Sequence, residues 1–271
     1  MIIDNRLSYS HPVCAHHYSD EFFDADIPMY LKHARQSGSP ILELGCGTGR
    51  ILIPLAKAGF RIVGLDLYSP MLKVAGEKIA QLSETIQRRI SLIQADISSF
   101  SLKQRFNMAY ISANTIFHLS RQEQRRCLEC ARDVLRPGGT IIIDCESSDS
   151  MSTAQECVGM LSRYDDYSKD DSGKTESVRS WITCVDLAER RMKVKTEVMK
   201  RSSDAKVKKC TYNHTFHWFD RIEMERLLYE CGFRTTHIYG DWDMRNFSEG
   251  DHRMIFVADK KNSPQAFFGL L

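Results

Sequence analysis

Apolar runs and amphipathic stretches alternate through the first half of the chain, the pattern of strands joined by crossover helices. Pro40 to Leu44 is a short apolar run closed by glycines, and Arg50 to Gly59 reads as a helix ending on a C′ glycine. Phe60 to Leu65 is a second strand. Ser69 as N-cap and Pro70 at the first helical position open a helix through Leu82. Ile90 to Ile93 and Met108 to Ser112 give a third and a fourth strand. Ser120-Arg-Gln-Glu123 is a capping box for a helix up to Leu135, and the turn Arg136 to Gly139 leads into a fifth strand, Thr140 to Asp144.

After Glu146 the texture changes. Residues 147–176 are rich in Ser and Asp, with a turn signal at Asp170 to Gly173. Within them Met151, Ala154, Val158 and Leu161 share one face of a short amphipathic helix suited to a cover. Residues 177–200 and 206–218 show period two with no helix between them, which predicts an antiparallel insertion laid against the main sheet. Tyr212, His214, Phe216 and Trp218 fall on one alternation, and His217 on the other. Asp220-Arg-Ile-Glu223 starts a last helix that stops at Gly232, followed by strands near 233–242 and 253–259.

Composition adds exclusions. At 42% apolar, 27% charged and 10% aromatic the chain is ordinary globular material, neither disordered nor coiled-coil. A net charge of +2 argues for no polyanionic partner. The stretch 186–210 nevertheless holds nine Lys/Arg against four Asp/Glu, which reads as the wet face of a ribbon or as a platform for an anionic acceptor. Nine scattered cysteines, with no secretory signal visible in MIIDNRLSYSHP, point to thiols kept reduced in a cytoplasm. Cys127 and Cys130 form a lone CxxC inside a helix and read as packing, so no metal is expected. No apolar run approaches the roughly 18–20 residues of a membrane span.

The informative segment is Glu43-Leu-Gly45-Cys46-Gly47-Thr-Gly49-Arg50. A glycine-rich turn from strand to helix brings backbone amides close to a bound group. Its spacing is GxGxG; a dinucleotide GxGxxG would need glycine at Arg50. Asp66 ends the next strand and Asp96 follows the third. Acids at three successive carboxyl ends face one crevice in an open α/β sheet, and one beyond the second strand can hold both ribose hydroxyls.

ILELGCGTGR, GLDLYSPML, IQADI, NTIFHL and LRPGGTIIID, in that order between Tyr18 and Asp144, resemble the class I S-adenosylmethionine-dependent methyltransferases. Asp26 to Leu31 and the closing GF…YGDWD…HRMIFVADK resemble the subgroup that acts on small molecules. The resemblance implies S-adenosyl-L-methionine as cofactor and S-adenosyl-L-homocysteine as product. It places Gly45, Cys46 and Gly47 along the methionyl part, with Glu43 setting the loop near the amino group. It also assigns Asp66 to the ribose, Leu67 to the adenine face, Asp96 to the exocyclic amine and the Ile97 amide to a ring nitrogen. Ala113, Asn114 and His118 would floor the pocket beside the sulfonium, Tyr18 and Arg50 would cap the methionyl end, and Met71 completes the cofactor set.

A sulfonium is an activated donor, so a base is needed only when the acceptor arrives protonated. His118 and His214 are the candidates for that task, with Tyr212, His214 and Phe216 as acceptor-side lining. Tyr110, Arg163, Tyr164 and Arg253 carry no separate support. The expected architecture is one α/β domain over 1–271: a doubly wound, seven-stranded, mostly parallel sheet whose last strand is antiparallel. It divides into an N-terminal helical cover (1–36), a cofactor core (37–147), an antiparallel lid insertion (148–218), a closing helix with two strands (219–260) and a tail (261–271). The expected activity is methyl transfer to N or O, with C open, of a small metabolite. An RNA or protein methyltransferase using the basic ribbon and a non-catalytic cofactor binder remain as alternatives. The DNA-type Asn/Asp-Pro-Pro-Tyr loop is absent, Ser112 to Phe117 standing there instead. No membrane partner is expected, and a homodimer stays open.

Overall fold

The computed structural model describes residues 2–3, 24–149, 153–167, 175–201 and 207–261. In chain order the strands of the main sheet are β2 (Ile41–Leu44), β3 (Ile62–Asp66), β4 (Ile90–Gln94), β5 (Phe106–Ile111), β6 (Leu135–Glu146), β11 (Phe233–Tyr239) and β12 (Arg253–Lys260). Their spatial order is β11-β12-β6-β5-β2-β3-β4. β2 to β6 run parallel, and β12 is antiparallel to both of its neighbours, as expected of the last strand.

The helices are α1 (Ile27–Ser37), α2 (Leu52–Lys57), α3 (Ser69–Ala80), α4 (Glu84–Gln87), α5 (Arg121–Val134) and α6 (Arg221–Glu230). Strand alternation sorts them into two layers, because successive side chains point to opposite faces. Leu42, Leu44, Ala109, Ile111, Ile141 and Ile143 pack with Leu128 and Ala131 of α5 and Leu228 of α6. Ile41, Met108, Tyr110, Ile142 and Ile255 take the other face, with Met29 and Tyr30 of α1 and Leu52 and Leu55 of α2. Both faces being covered, β2 and β3 are buried at every position, which explains their unbroken apolar runs.

The insertion builds a separate five-stranded sheet, ordered β1-β10-β9-β8-β7. Its members are β1 (Ile2–Ile3), β7 (Leu161–Tyr167), β8 (Thr175–Asp186), β9 (Arg191–Arg201) and β10 (Val207–His217). β1 adds to the outer edge of β10 in parallel, and the other pairings are antiparallel. Ile182 and Met192 of this sheet enter the core of the main one.

Three sequence expectations need correction. The helix expected across 151–161 is a 3-10 turn, Thr153–Cys157, after which Leu161 begins β7. Val158 forms a bridge to Ile182 there, so sheet pairing overrides the helical spacing, and Met151 lies outside the described residues. Ser69 is the first helical residue rather than the cap; Tyr68 holds the N-cap, and the helix closes at Ala80. The long period-two run 177–200 is two strands, broken at Leu187 to Arg190, where Arg190 turns left-handed at φ 45°.

Candidate active site

The crevice at the carboxyl ends of β2 to β5 holds a cavity of about 310 Å³. Its floor is the glycine loop that follows β2. The Gly45 and Cys46 amides both donate to the Leu65 carbonyl, at 2.8 and 2.9 Å, which pins the loop to β3. A Cβ on Gly45 would lie 2.5 Å from Thr115 Cγ2, so only glycine lets the loop and the turn after β5 meet. At Gly47 (φ +51°) a Cβ would meet nothing within 4 Å, because this backbone faces the cavity itself.

Four carboxylates line that space, three of them at the ends of strands and the fourth, Glu123, on α5. Asp66 Oδ2 accepts from the Gly47 amide at 2.8 Å and Oδ1 from the Tyr68 amide at 2.9 Å, so one side chain ties the glycine loop to the start of α3. Burial raises its pKa against those backbone bonds. Asp96 Oδ1 accepts from the Ser98 amide and hydroxyl, each at 2.8 Å. Glu43 is buried, and its Oε2 has no hydrogen-bond partner. Burial pushes its carboxyl up to about 8, against the pull of the Tyr110 hydroxyl, near but outside bonding geometry, and of Arg50. Arg50 also lines the cavity and holds Asp26 of the α1 entry in a two-point pair, 2.6 and 2.7 Å.

Of the expected cofactor residues, the cavity wall collects Glu43, Gly45, Cys46, Gly47, Arg50, Asp66, Leu67, Met71, Asp96, Ile97, Ala113 and His118. Tyr18 lies outside the described residues. Asn114 is a correction, for it does not line the cavity. Its side chain turns to β6, with Nδ2 donating to Glu146 Oε1 and Oδ1 accepting from the Glu146 amide. The sequence reading missed Thr48, Ile51, Tyr68, Ser112, Thr115, Leu119 and Glu123 on the same wall. Most are immediate neighbours of residues it named, so extending each motif by one position would have found them.

His118 joins this cavity to the small sheet. Its ring centroid lies 4.8 Å from Phe216 and 5.6 Å from His214, and Tyr212 meets His214 edge-on at 4.9 Å. The strand alternation that grouped Tyr212, His214 and Phe216 therefore puts them on one ring wall with His118. Burial lowers the His118 pKa to about 4, and burial with His118 beside it lowers His214 to about 3. Both imidazoles are neutral at pH 7. Trp218, on the same alternation, belongs instead to the main core.

A second polar cluster was not foreseen. Asp144, buried at the tip of β6, accepts from Arg253 at 2.8 Å, Trp242 Nε1 at 3.1 Å and the Tyr30 hydroxyl at 3.4 Å. The Arg253 guanidinium also lies 3.8 Å over the Trp242 ring. In the basic ribbon, Lys195 and Lys209 both pair with Glu197, each at 3.0 Å, which cancels part of the local charge excess. Cys127 is buried on α5, and no cluster of three or more metal-ligating side chains occurs among the described residues. None of the described helices is long and apolar enough to cross a membrane.

Residues 41–139 match the family model described as a methyltransferase domain. A protein of Geobacillus sp. (strain WCH70) that carries a provisional methyltransferase name is 25% identical over 84% of this chain and 87% of its own. The cypemycin N-terminal methyltransferase of Streptomyces sp. is 32% identical over 42% of this chain and 44% of its own. Among solved structures, the CcbJ methyltransferase of Streptomyces caelestis superposes with a TM-score of 0.73, at 21% identity, over 95% of this chain and all (100%) of its own. The sugar N-methyltransferase KedS8 of Streptoalloteichus sp ATCC 53650 gives a TM-score of 0.70 at 17% identity, over 91% of each chain. The structures establish the fold. The matched segment, residues 41–139, carries the glycine loop, Asp66 and Asp96, so the cavity lies in the part of the chain that is similar to a methyltransferase domain.

Proposed function

We propose that the protein transfers a methyl group from S-adenosylmethionine to a nitrogen of a small organic acceptor. The observation that carries this reading is one cavity with two unlike walls: a glycine loop with three acids on one side, and the neutral His118 backed by the β10 rings on the other. The first wall suits the cofactor. The orphaned Glu43 Oε2 matches an ammonium group, Asp66 matches the paired ribose hydroxyls, and Leu67, 39% exposed, offers an apolar face to the adenine. Asp96 and the Ile97 amide match the amine and ring nitrogen of the same base.

When bound, the sulfonium supplies an activated methyl carbon to a nucleophile in line with it. What this chain adds is orientation and dryness, which together supply roughly 7–11 kcal/mol of barrier reduction in well-aligned reactions. His118, held neutral, is too weak a base to take a proton from an ammonium group; it accepts a hydrogen bond from an amine acceptor that arrives uncharged, which turns the nitrogen lone pair toward the methyl group. His214, Tyr212 and Phe216 are not on the cavity wall; they form the ring cluster that backs His118 and holds its imidazole in place. Support for nitrogen comes from the cypemycin N-terminal enzyme and the sugar N-methyltransferase among the similar proteins. With part of its charge paired, the basic ribbon lends nothing specific to a nucleic-acid acceptor.

Titration calorimetry with S-adenosylmethionine and S-adenosylhomocysteine, on parent and Asp66→Ala protein, tests the cofactor half. No binding at millimolar ligand, or a variant that binds as well as the parent, ends the reading. Incubation with methyl-labelled cofactor and a fractionated metabolite extract tests the acceptor half, where label on a low-mass amine is the expected result. Label on RNA or protein alone refutes it.

A further inference from the structure

The turn after β5 holds the most demanding backbone on the cavity wall. It runs from Ser112 to Thr115 and closes with the Thr115 amide donating to the Ser112 carbonyl at 3.0 Å. Its two central residues, Ala113 (φ 50°) and Asn114 (φ 60°), are both left-handed although neither is glycine. That is the I′ arrangement, which asparagine tolerates and alanine resists. Such geometry persists where the surroundings over-determine it, and it concentrates at functional sites.

The over-determination is visible on both sides of the turn. Toward β6, Asn114 Nδ2 donates to Glu146 Oε1 at 3.1 Å and the Glu146 amide donates back to Asn114 Oδ1 at 2.7 Å. The Asn114 amide donates in addition to the Asp144 carbonyl at 3.2 Å. Toward β2, Thr115 occupies the space that a Gly45 side chain would need. The turn is thus fastened to the tip of one strand and rests on the glycine loop of another.

Sheet order says what this serves. β5 lies on the β6 side of β2, whereas β3 and β4, with Asp66 and Asp96 at their ends, lie on the other. Ser112, Ala113 and His118 line the opposite side of the cavity from Asp66 and Asp96, so a cofactor held by those acids at its nucleoside end would have its sulfonium on the Ser112–Ala113 side. We propose that Asn114 and Glu146 are positioning residues: their reciprocal hydrogen bonds fix the Ser112–Ala113 peptide groups against the sulfonium. The inference rests on the cofactor reading above. Peptide dipoles act strongly on a positive sulfonium and weakly on a neutral thioether, so their orientation sets the preference for the methylated cofactor over its product.

Equilibrium binding of S-adenosylmethionine and S-adenosylhomocysteine to parent, Glu146→Gln, Glu146→Ala and Asn114→Gly proteins tests this without any acceptor. Glu146→Gln keeps the acceptor oxygen and is expected to match the parent for both ligands. Glu146→Ala and Asn114→Gly, the latter still permitting the left-handed turn, are expected to lose about tenfold in affinity for the methylated cofactor and less than about threefold for the product. Circular dichroism confirms folding; should one variant not fold, the other decides by itself. Equal losses for the two ligands, or none, overturn the clamp alone. A parent that binds neither ligand overturns the cofactor reading and the clamp with it.

Discussion

Glu43 on the cavity wall, and the pair of His118 on that wall with His214 behind it, have ionisations displaced by burial, and each makes the protein sensitive to pH in a definite direction. Glu43 titrates near 8 in the folded chain, so at pH 7 its carboxyl is mostly protonated. An ammonium group placed against Oε2 favours the carboxylate, and binding then expels the proton. Cofactor affinity should rise with pH up to about 8, by at most tenfold per pH unit. Calorimetry at pH 7 in buffers of different ionisation enthalpy should show proton release that disappears in Glu43→Gln; release unchanged by that substitution would refute the assignment. The histidine pair acts on stability, and in the same sense, for stability too is lost on acidification. His118 and His214 titrate near 4 and 3 when folded, but near 6.5 in the unfolded chain. Between those values the unfolded chain binds more protons, so stability is full above about 6.5 and falls as the pH drops through that window. Urea midpoints at pH 7.5, 6 and 5 should trace this loss, and His214→Phe should flatten it. A variant with the parent's acid limb would contradict the claim.

At the scale of elements, the two capping boxes were the most legible part of the sequence, since such a cap is a contact between residues three apart, whereas the lone Ser69-Pro70 signal misplaced the start of α3 by one residue. Ser120 and Asp220 both form complete capping boxes, with Glu123 and Glu223. Ser120→Ala should therefore cost about 1 kcal/mol, seen as a lower denaturant midpoint with unchanged slope. The same variant removes one of the bonds that hold Glu123, whose carboxylate accepts from the Ser120 hydroxyl at 2.7 Å as well as from the Ser120 amide at 2.9 Å and which lines the cavity. A loss of cofactor affinity should accompany the loss of stability, and a stability effect alone would show that Glu123 keeps its place without the cap. Elements decided by distant partners were read less well. The spacing from Met151 to Leu161 is helical, yet Val158 and Leu161 pair with β8, a strand some twenty residues on. The acids at the ends of β2 and β3 and after β4 were found because strand ends are local features. Asp144 sits at such an end too, but its partners Tyr30, Trp242 and Arg253 lie about a hundred residues away, so its burial was invisible. Asn114 was assigned to the cavity by its motif, and only the position of Glu146 shows which way its side chain turns.

At the scale of the molecule, the surplus length over a minimal seven-stranded domain forms a second sheet whose inner face supplies both structure and chemistry. Ile182 and Met192 pack into the same core as Leu128, Phe219 and Phe256, while His214 and Phe216 on that sheet meet His118 at the cavity. Were the insertion an independent module, a mutation within it would lower its own melting transition and leave the main sheet alone. A shared core predicts the opposite, because removing a buried side chain weakens every element that touches the cavity left behind. Met192→Ala should cost about 2–5 kcal/mol. It should also lower the midpoint seen by far-ultraviolet circular dichroism and that seen by tryptophan fluorescence together, Trp218 being buried in that core. It should cost cofactor affinity less than acceptor turnover, since the donor wall stands on β2 to β4 and the rings behind His118 on β10. Two separated transitions in the parent, or a Met192→Ala protein whose main sheet melts as before, would mean that the small sheet is an appendage and that the ring wall around His118 is not held by the fold.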